Sequence, residues 1–385
     1  MKQTKIVSLV AVLLLTLVMV SCVPGGAQAA KGWAGTAFHD GIIYIGTADG
    51  RVVATNASSR EELWSRVVVT QVSGGLACGP STVADAIYTT PVVHGDLVYV
   101  GTYSGQVYAL TIAQGAERWI YPRTGSIGAI VAGPVVADET IYVSSSDGTV
   151  YALDVRHGDF KWRSERLADK LWTSPAVVGD TVYVSTFNGR IYALCGDTGD
   201  PKTESRPEGE DWLFRAEAGF ASSPVIYEDT IYVGSFDNSL YAIKIGAGEP
   251  AWTSSGGKWF WATPLVHEGV VYAGCLDGKL YVLDAETGEK MGEFDAGSPI
   301  VSSPVMMDGL LIVADESGAV YVFDLNAGPE NKAVPLKTIT IDAAVRSSFC
   351  AHEGLVYIRG ENNRLYVVDL DEGWIAWDIP LTVEE

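Results

Sequence analysis

The chain has 385 residues, 26 of them Lys or Arg and 47 Asp or Glu, for a formal net charge of −21. That balance leaves no basis for a nucleic-acid or anionic-lipid surface, because both need clustered cations that release counterions on binding. With Cys22 set aside, Cys78, Cys195, Cys275 and Cys350 are too few and too scattered for a disulfide framework or a zinc site, and they read as buried apolar residues.

The first element is a leader. Met1, Lys2 and Lys5 precede an apolar run from Ile6 to Val20, too short for a committed membrane span and right for a signal peptide. The run ends Met19-Val20-Ser21-Cys22, which resembles the bacterial lipobox except that Met19 stands where Leu is usual. Residues 1–22 are therefore expected to be a lipoprotein-type signal peptide, with lipidation at Cys22 as the sole membrane attachment. Cleavage after Ala29 or Ala30 is the alternative. Losing the leader removes Lys2 and Lys5 and no acid, so 24 basic residues face 47 acidic ones and the remaining charge is −23. Residues 23–32, which include Val23-Pro24-Gly25-Gly26-Ala27, are then expected to serve as a flexible tether. Beyond them no stretch reaches eighteen uninterrupted apolar residues.

From residue 33 to 385 the chain repeats. Short Ile/Val-rich runs are centred in turn on Tyr44, Tyr99, Tyr142, Tyr183, Tyr232, Tyr272, Ile312 and Tyr357, at steps of 55, 43, 41, 49, 40, 40 and 45 residues. Eight β-rich units near forty residues predict an all-β, eight-bladed β-propeller of four-stranded antiparallel blades, one domain over 33–385. The register within units is fixed. Eight residues before the anchor stand Pro91, Pro134, Pro175, Pro224, Pro264 and Pro304, suited to the opening of a strand. Turn pairs such as Asp138-Glu139 and Asp147-Gly148 flank each anchor at constant offsets, and these residue types tolerate the positive φ of tight hairpins. Twenty residues after the anchor come Trp64, Trp119, Trp162, Trp252 and Trp377, expected to dock one blade on the next. Inserts at Val68 to Ala86, Gly196 to Asp211 and Asn326 to Pro335 break the regularity and are further candidates for partner contact. The eighth unit ends with its own outer strand at Trp374 to Pro380, so ring closure should need no strand exchange.

The run from Ser222 to Ala242, with Ser-Ser-Pro-Val, Ile-Tyr-Val-Gly-Ser and Leu-Tyr-Ala at their places, and the later Asp284-x-x-Thr-Gly288, resemble the repeat of the pyrroloquinoline-quinone (PQQ) propeller family over residues 33 to 380. Within it, the length, the eight repeats and the lipoprotein-type start are similar to the BamB-type outer-membrane assembly lipoproteins. That resemblance implies an extracytoplasmic, lipid-anchored scaffold that binds protein partners of envelope assembly, and no catalysis. Quinoprotein dehydrogenases are the other branch, and they imply PQQ with calcium. Their vicinal cysteine pair is missing here, and none of their catalytic residues carries over to a matching position. The alternative is thus a PQQ-dependent or quinone-binding oxidoreductase, and a third is a peptide- or sugar-binding surface protein.

No residue is assigned to catalysis, to a cofactor or to a metal. His39, His94, His267 and His352 share one repeat position, five before the anchor, which explains them more simply than a metal centre. One constellation stands out. Eleven residues before each anchor come Trp33, Tyr88, Val131, Trp172, Ala221, Trp261, Val301 and Arg346, with Phe220, Trp259 and Phe260 beside them. Copies of one repeat position lie on a ring, so Trp33, Tyr88, Trp172, Trp261 and Arg346 are expected to surround one mouth of the central funnel. Wedging of these rings between blades is the competing reading.

Overall fold

Turn chemistry sets the first level of structure. Asp138 and Glu139 take φ of 46° and 55°, and Gly148 takes 86°, so the segments they separate fold back as tight hairpins. The third repeat becomes Val135–Ala137, Thr140–Ser144, Val150–Asp154 and Phe160–Arg163, an antiparallel meander in which Tyr142 faces Ala152 and Ala152 faces Trp162. Our computed structural model describes residues 34–72, 81–202, 210–220, 222–328 and 332–381, and the leader, the tether and Trp33 lie outside them. Within the described residues the same meander occurs eight times, as eight four-stranded sheets of consecutive strands with no helix. This is the expected eight-bladed propeller.

The prolines sit where their missing N–H costs nothing. Pro91, Pro134, Pro175, Pro224, Pro264 and Pro304 each immediately precede an inner strand, such as Val92–His94 or Val225–Tyr227. Second strands such as Thr140–Ser144 and Thr230–Gly234 are buried along their whole length, because each blade is covered on both faces. The core accordingly divides into layers between neighbouring blades. Ile141, Val143 and Leu153 of blade 3, for example, pack on Leu97, Val107 and Trp119 of blade 2.

The outer tryptophans lock these layers. Trp64, Trp119, Trp162 and Trp252 are all buried, and each indole N–H donates to a backbone carbonyl of the next blade: Ile112, Val155, Gly196 and Ala285, at 2.8, 3.2, 2.7 and 2.9 Å. Their ring faces lie on Gly115, Gly158, Gly199 and Gly288, where a Cβ would come within 2.4 to 2.6 Å of the indole. Trp377 of blade 8 departs from the pattern. The position that should offer glycine is Arg60, whose guanidinium carbon lies 5.6 Å from the Trp377 ring centroid.

The first insert adds a two-stranded hairpin, Val69–Val72 with Ser81–Ala84. The second leaves blade 4 an outer strand of only Phe214–Arg215. The ring closes without strand exchange, since blade 1 (Thr36 to Val67) and blade 8 (Cys350 to Pro380) are each made from one continuous segment.

Candidate functional site

The loops that enter blades 2 to 8, with the turns between the second and third strands of blades 2, 4 and 5, meet around one cavity of about 660 Å³ on the propeller axis. Tyr88, Val131, Trp172, Trp261, Val301 and Arg346 all line it, so the shared repeat position does become a ring. Trp33 and Ala221 complete that register position but lie outside the described residues.

Two of the flanking aromatics behave differently. Phe220 and Phe260 are 1% and 0% exposed. Phe220 reaches the cavity wall but packs against Phe214 and Tyr241, with centroids 6.5 and 6.3 Å away, and Phe260 packs on Tyr281 at 5.4 Å. Both are wedges between blades, because the chain turns inward there and directs them into the apolar layers. Trp172 and Trp259, by contrast, are 37% and 44% exposed.

A second ring escaped the sequence reading. Four residues after the anchor, in the turn between second and third strands, stand Tyr103, Phe187, Phe236, Glu316 and Glu361. Their shared offset was the available signal. In space they interleave with the first ring and build a ladder of aromatic faces across blades 4 to 6. Trp172 meets Phe187 at 4.8 Å, Phe187 meets Phe236 at 5.2 Å, and Phe236 meets Trp259 and Trp261 at 4.9 and 5.7 Å. Gly219 permits the blade 4 to blade 5 contact, since a Cβ there would lie 1.9 Å from the Phe187 carbonyl oxygen. Tyr88 and Tyr103 form a separate pair at 5.2 Å on blade 2, and burial followed by Tyr103 raises the Tyr88 phenol above its ordinary value.

The opposite side of the mouth is ionic. Arg346 donates from Nε to Glu316 at 2.7 Å and from Nη1 to Glu361 at 2.6 Å, and the hydrogen bond to Glu316 leads the causes that raise its pKa further. Two residues beyond the first ring position, the entry loops of blades 4 to 7 carry a belt of hydroxyls. Ser223 Oγ accepts the Ser174 N–H at 2.9 Å, Thr263 Oγ1 accepts the Ser223 N–H at 3.3 Å, and Ser303 Oγ accepts the Thr263 N–H at 3.1 Å. All four residues line the cavity.

Among the described residues that line the cavity there is no His, Cys, Asp, Glu or Lys. Burial pushes the Cys275 and Cys350 thiols up to about 11, so neither is a thiolate near neutral pH. His39, His94, His267 and His352 close the inner strands of four different blades, and among the described residues no three His, Cys, Asp or Glu side chains gather as a metal site would need. What the mouth offers is non-covalent: exposed aromatic faces, hydroxyls and one ionic cluster.

Comparison with known proteins agrees with the architecture. A segment of 83 residues, 21% of this chain, is 37% identical to the quinohaemoprotein alcohol dehydrogenase ADH IIB of Pseudomonas putida, and spans only 11% of that protein. A segment of the same length, 22% of this chain, is 31% identical to the outer membrane protein assembly factor BamB of Escherichia coli K12 and spans 20% of it. Among solved structures, BamB of Moraxella catarrhalis superposes with a TM-score of 0.65 at 17% identity, over 85% of this chain and 91% of the other. The computationally designed protein Ika8 does so with a TM-score of 0.68 at 14% identity, over 87% and 95%. Both superpositions bear on the fold alone. The family described as outer membrane protein assembly factor BamB matches residues 81–258 and 252–382, most of the propeller, and the chain belongs to that family.

Proposed function

We propose that this protein is an extracytoplasmic scaffold, lipid-anchored at Cys22, that binds a protein partner of envelope assembly through the funnel mouth. The aromatic ladder carries the reading. Trp172 and Trp259 keep 37% and 44% of their surface in water, at the open end of a rigid ring. Aromatic residues and Arg dominate protein-binding hot spots, and exposed rings cost solubility unless a partner covers them. Family membership supports an envelope role, and the run Met19 to Cys22 supports the anchor.

Crosslinking in native membranes tests the reading. Trp172→Ala combined with Trp261→Ala should weaken capture of the partner by about 2 kcal/mol or more while the circular dichroism of the propeller is kept. Undiminished capture would move recognition to the inserted loops. For the anchor, Cys22→Ala should abolish acylation, and an unlipidated mature N-terminus at Lys31 in the unmodified protein would refute it.

The segment shared with the alcohol dehydrogenase favours a second reading, a quinone-dependent oxidoreductase. The funnel residues do not fit an anionic quinone held with calcium. The charged side chain in the described lining, Arg346, is already held by two carboxylates, and among the described residues no group of three or more Asp, Glu, His or Cys side chains gathers to hold calcium. Dye-linked turnover of about one per second or faster after reconstitution with PQQ and calcium would restore that reading.

A further inference from the structure

The mouth has two unlike sides, and the difference specifies what it recognises. Building on the scaffold reading above, we propose that the funnel takes a short extended peptide segment of the partner that carries Lys or Arg beside aromatic or aliphatic side chains. Three observations carry this.

Charge comes first. Among the described residues that line the cavity, Arg346 alone is charged, and Glu316 and Glu361 already offset its charge. Two carboxylates around one guanidinium leave an excess negative charge on the ionic side of the mouth, and Glu316 and Glu361 keep 26% and 50% of their side-chain surface exposed. The whole chain carries a net charge of −21, so its field draws cations and repels anions over the distances that steer encounter.

The ladder from Trp172 through Phe187 and Phe236 to Trp261 lies across the same cavity from Arg346. Its faces suit apolar and aromatic side chains, and their π-electrons also favour a cation, as Lys170 shows by placing Nζ 5.7 Å from the Trp172 centroid.

The hydroxyl belt supplies the third term. Ser223, Thr263 and Ser303 use their oxygens as acceptors within the ring, which leaves each hydroxyl proton to donate. Donors lining a cavity of about 660 Å³ suit the carbonyls of a peptide backbone a few residues long, and that volume is too small for a folded domain.

The test uses two fluorescein-labelled decapeptides of glycine, phenylalanine and either lysine or glutamate, titrated against the whole protein. The lysine peptide should bind about tenfold or more tighter at low salt, and the gap should shrink as salt is raised. Glu316→Gln with Glu361→Gln should weaken the lysine peptide about fivefold or more, whereas Arg346→Gln, which frees both carboxylates, should leave it unchanged or tighten it. Equal or better binding of the glutamate peptide, or loss of the lysine peptide in Arg346→Gln with binding kept in the double glutamine variant, would overturn the proposal. The salt dependence of the unmodified protein needs no variant to fold, and its absence is equally adverse. If neither peptide binds while the Trp172 and Trp261 pair remains essential for capture, this inference falls and the scaffold reading stands. Capture that ignores that pair moves recognition from the funnel mouth to the inserted loops and removes the mouth from the scaffold reading.

Discussion

The carbonyl of Gly196 accepts two hydrogen bonds, from Trp162 Nε1 at 2.7 Å and from the Tyr142 hydroxyl at 3.4 Å. Val155 and Ala285 are shared in the same way, by Trp119 with Tyr99 and by Trp252 with Tyr232. In repeats 2, 3 and 5 the two aromatic positions thus converge on one acceptor of the next blade, whereas in repeat 1 Trp64 alone reaches the Ile112 carbonyl and the buried Tyr44 hydroxyl meets no acceptor among the described residues. The sequence showed the Trp and Tyr spacing but not the partner, which lies on a different repeat. Trp162→Ala removes a buried ring and leaves that carbonyl with one long bond, so it should lower stability by about 3 to 5 kcal/mol, read as the shift of the denaturant midpoint. Asp277 illustrates a charged counterpart. Burial opposes its charge, but the Tyr281 hydroxyl at 2.7 Å and the Gly257 and Lys279 amides at 2.8 and 3.0 Å prevail and hold its carboxyl below its ordinary 3.8. A depressed folded value stabilises the protein above the unfolded value and loses that contribution as pH falls through the folded one. The stability advantage of the native chain over Asp277→Asn should therefore be full at pH 7 and shrink below about 3.8, as acid titration of the two unfolding midpoints would show.

The strands themselves were the most legible element, because the turn residues, the prolines and the apolar runs all repeat at fixed offsets within one unit. Legibility failed where an insert changed the offset. Blade 7 has Lys332 where a Trp is due, and after its insert Lys337 reaches Leu370 and Asp371 of blade 8, donating to both carbonyls at 2.6 Å. Leu370 holds the same repeat place as Gly196, thirteen residues after the anchor, so an ammonium stands in for an indole at that seam. No spacing rule could reveal this, since the substitute comes from a different position. Lys337→Met keeps most of the stem and deletes the donors, and it should cost about 1 kcal/mol, the usual net loss for such bonds near the surface. Equal urea midpoints for the two proteins would show that water replaces the ammonium without penalty. The aromatic ladder failed to show for a similar reason: the ring of Tyr103, Phe187 and Phe236 sits in turns, where the sequence reading looked for Gly and Asp and passed over the residue just before them.

At the scale of the whole ring, one seam differs from the others. Seven junctions join consecutive segments of chain, but the junction between blades 8 and 1 joins residues more than three hundred positions apart, so nothing local holds it. Thr36 is its centre. Its N–H donates to the Ser348 carbonyl at 3.2 Å, its hydroxyl donates to the Tyr357 carbonyl at 2.6 Å, and its Oγ1 accepts the Cys350 N–H at 3.2 Å. Around it, Arg51, itself buried, donates to the Leu381 carbonyl, while Arg359 lies almost wholly buried with its pKa lowered to about 10, desolvation outweighing the pull of Asp49 and Glu361. The seam thus relies on polar groups where four of the other junctions use indole on glycine, and such groups resist opening only while every partner is in place. Closure entropy makes this the junction most expensive to form and the first to open. Thr36→Val keeps the shape and removes the hydroxyl, leaving a buried carbonyl and a buried N–H without it, at a cost of about 1 to 3 kcal/mol. The loss should be local. Hydrogen exchange of the variant should quicken first in Thr36–Gly46 and Cys350–Arg359, with the second strands of blades 3 to 6 protected as before. Uniform acceleration around the ring would show instead that the propeller opens as a single cooperative unit, with closure no weaker than any other seam.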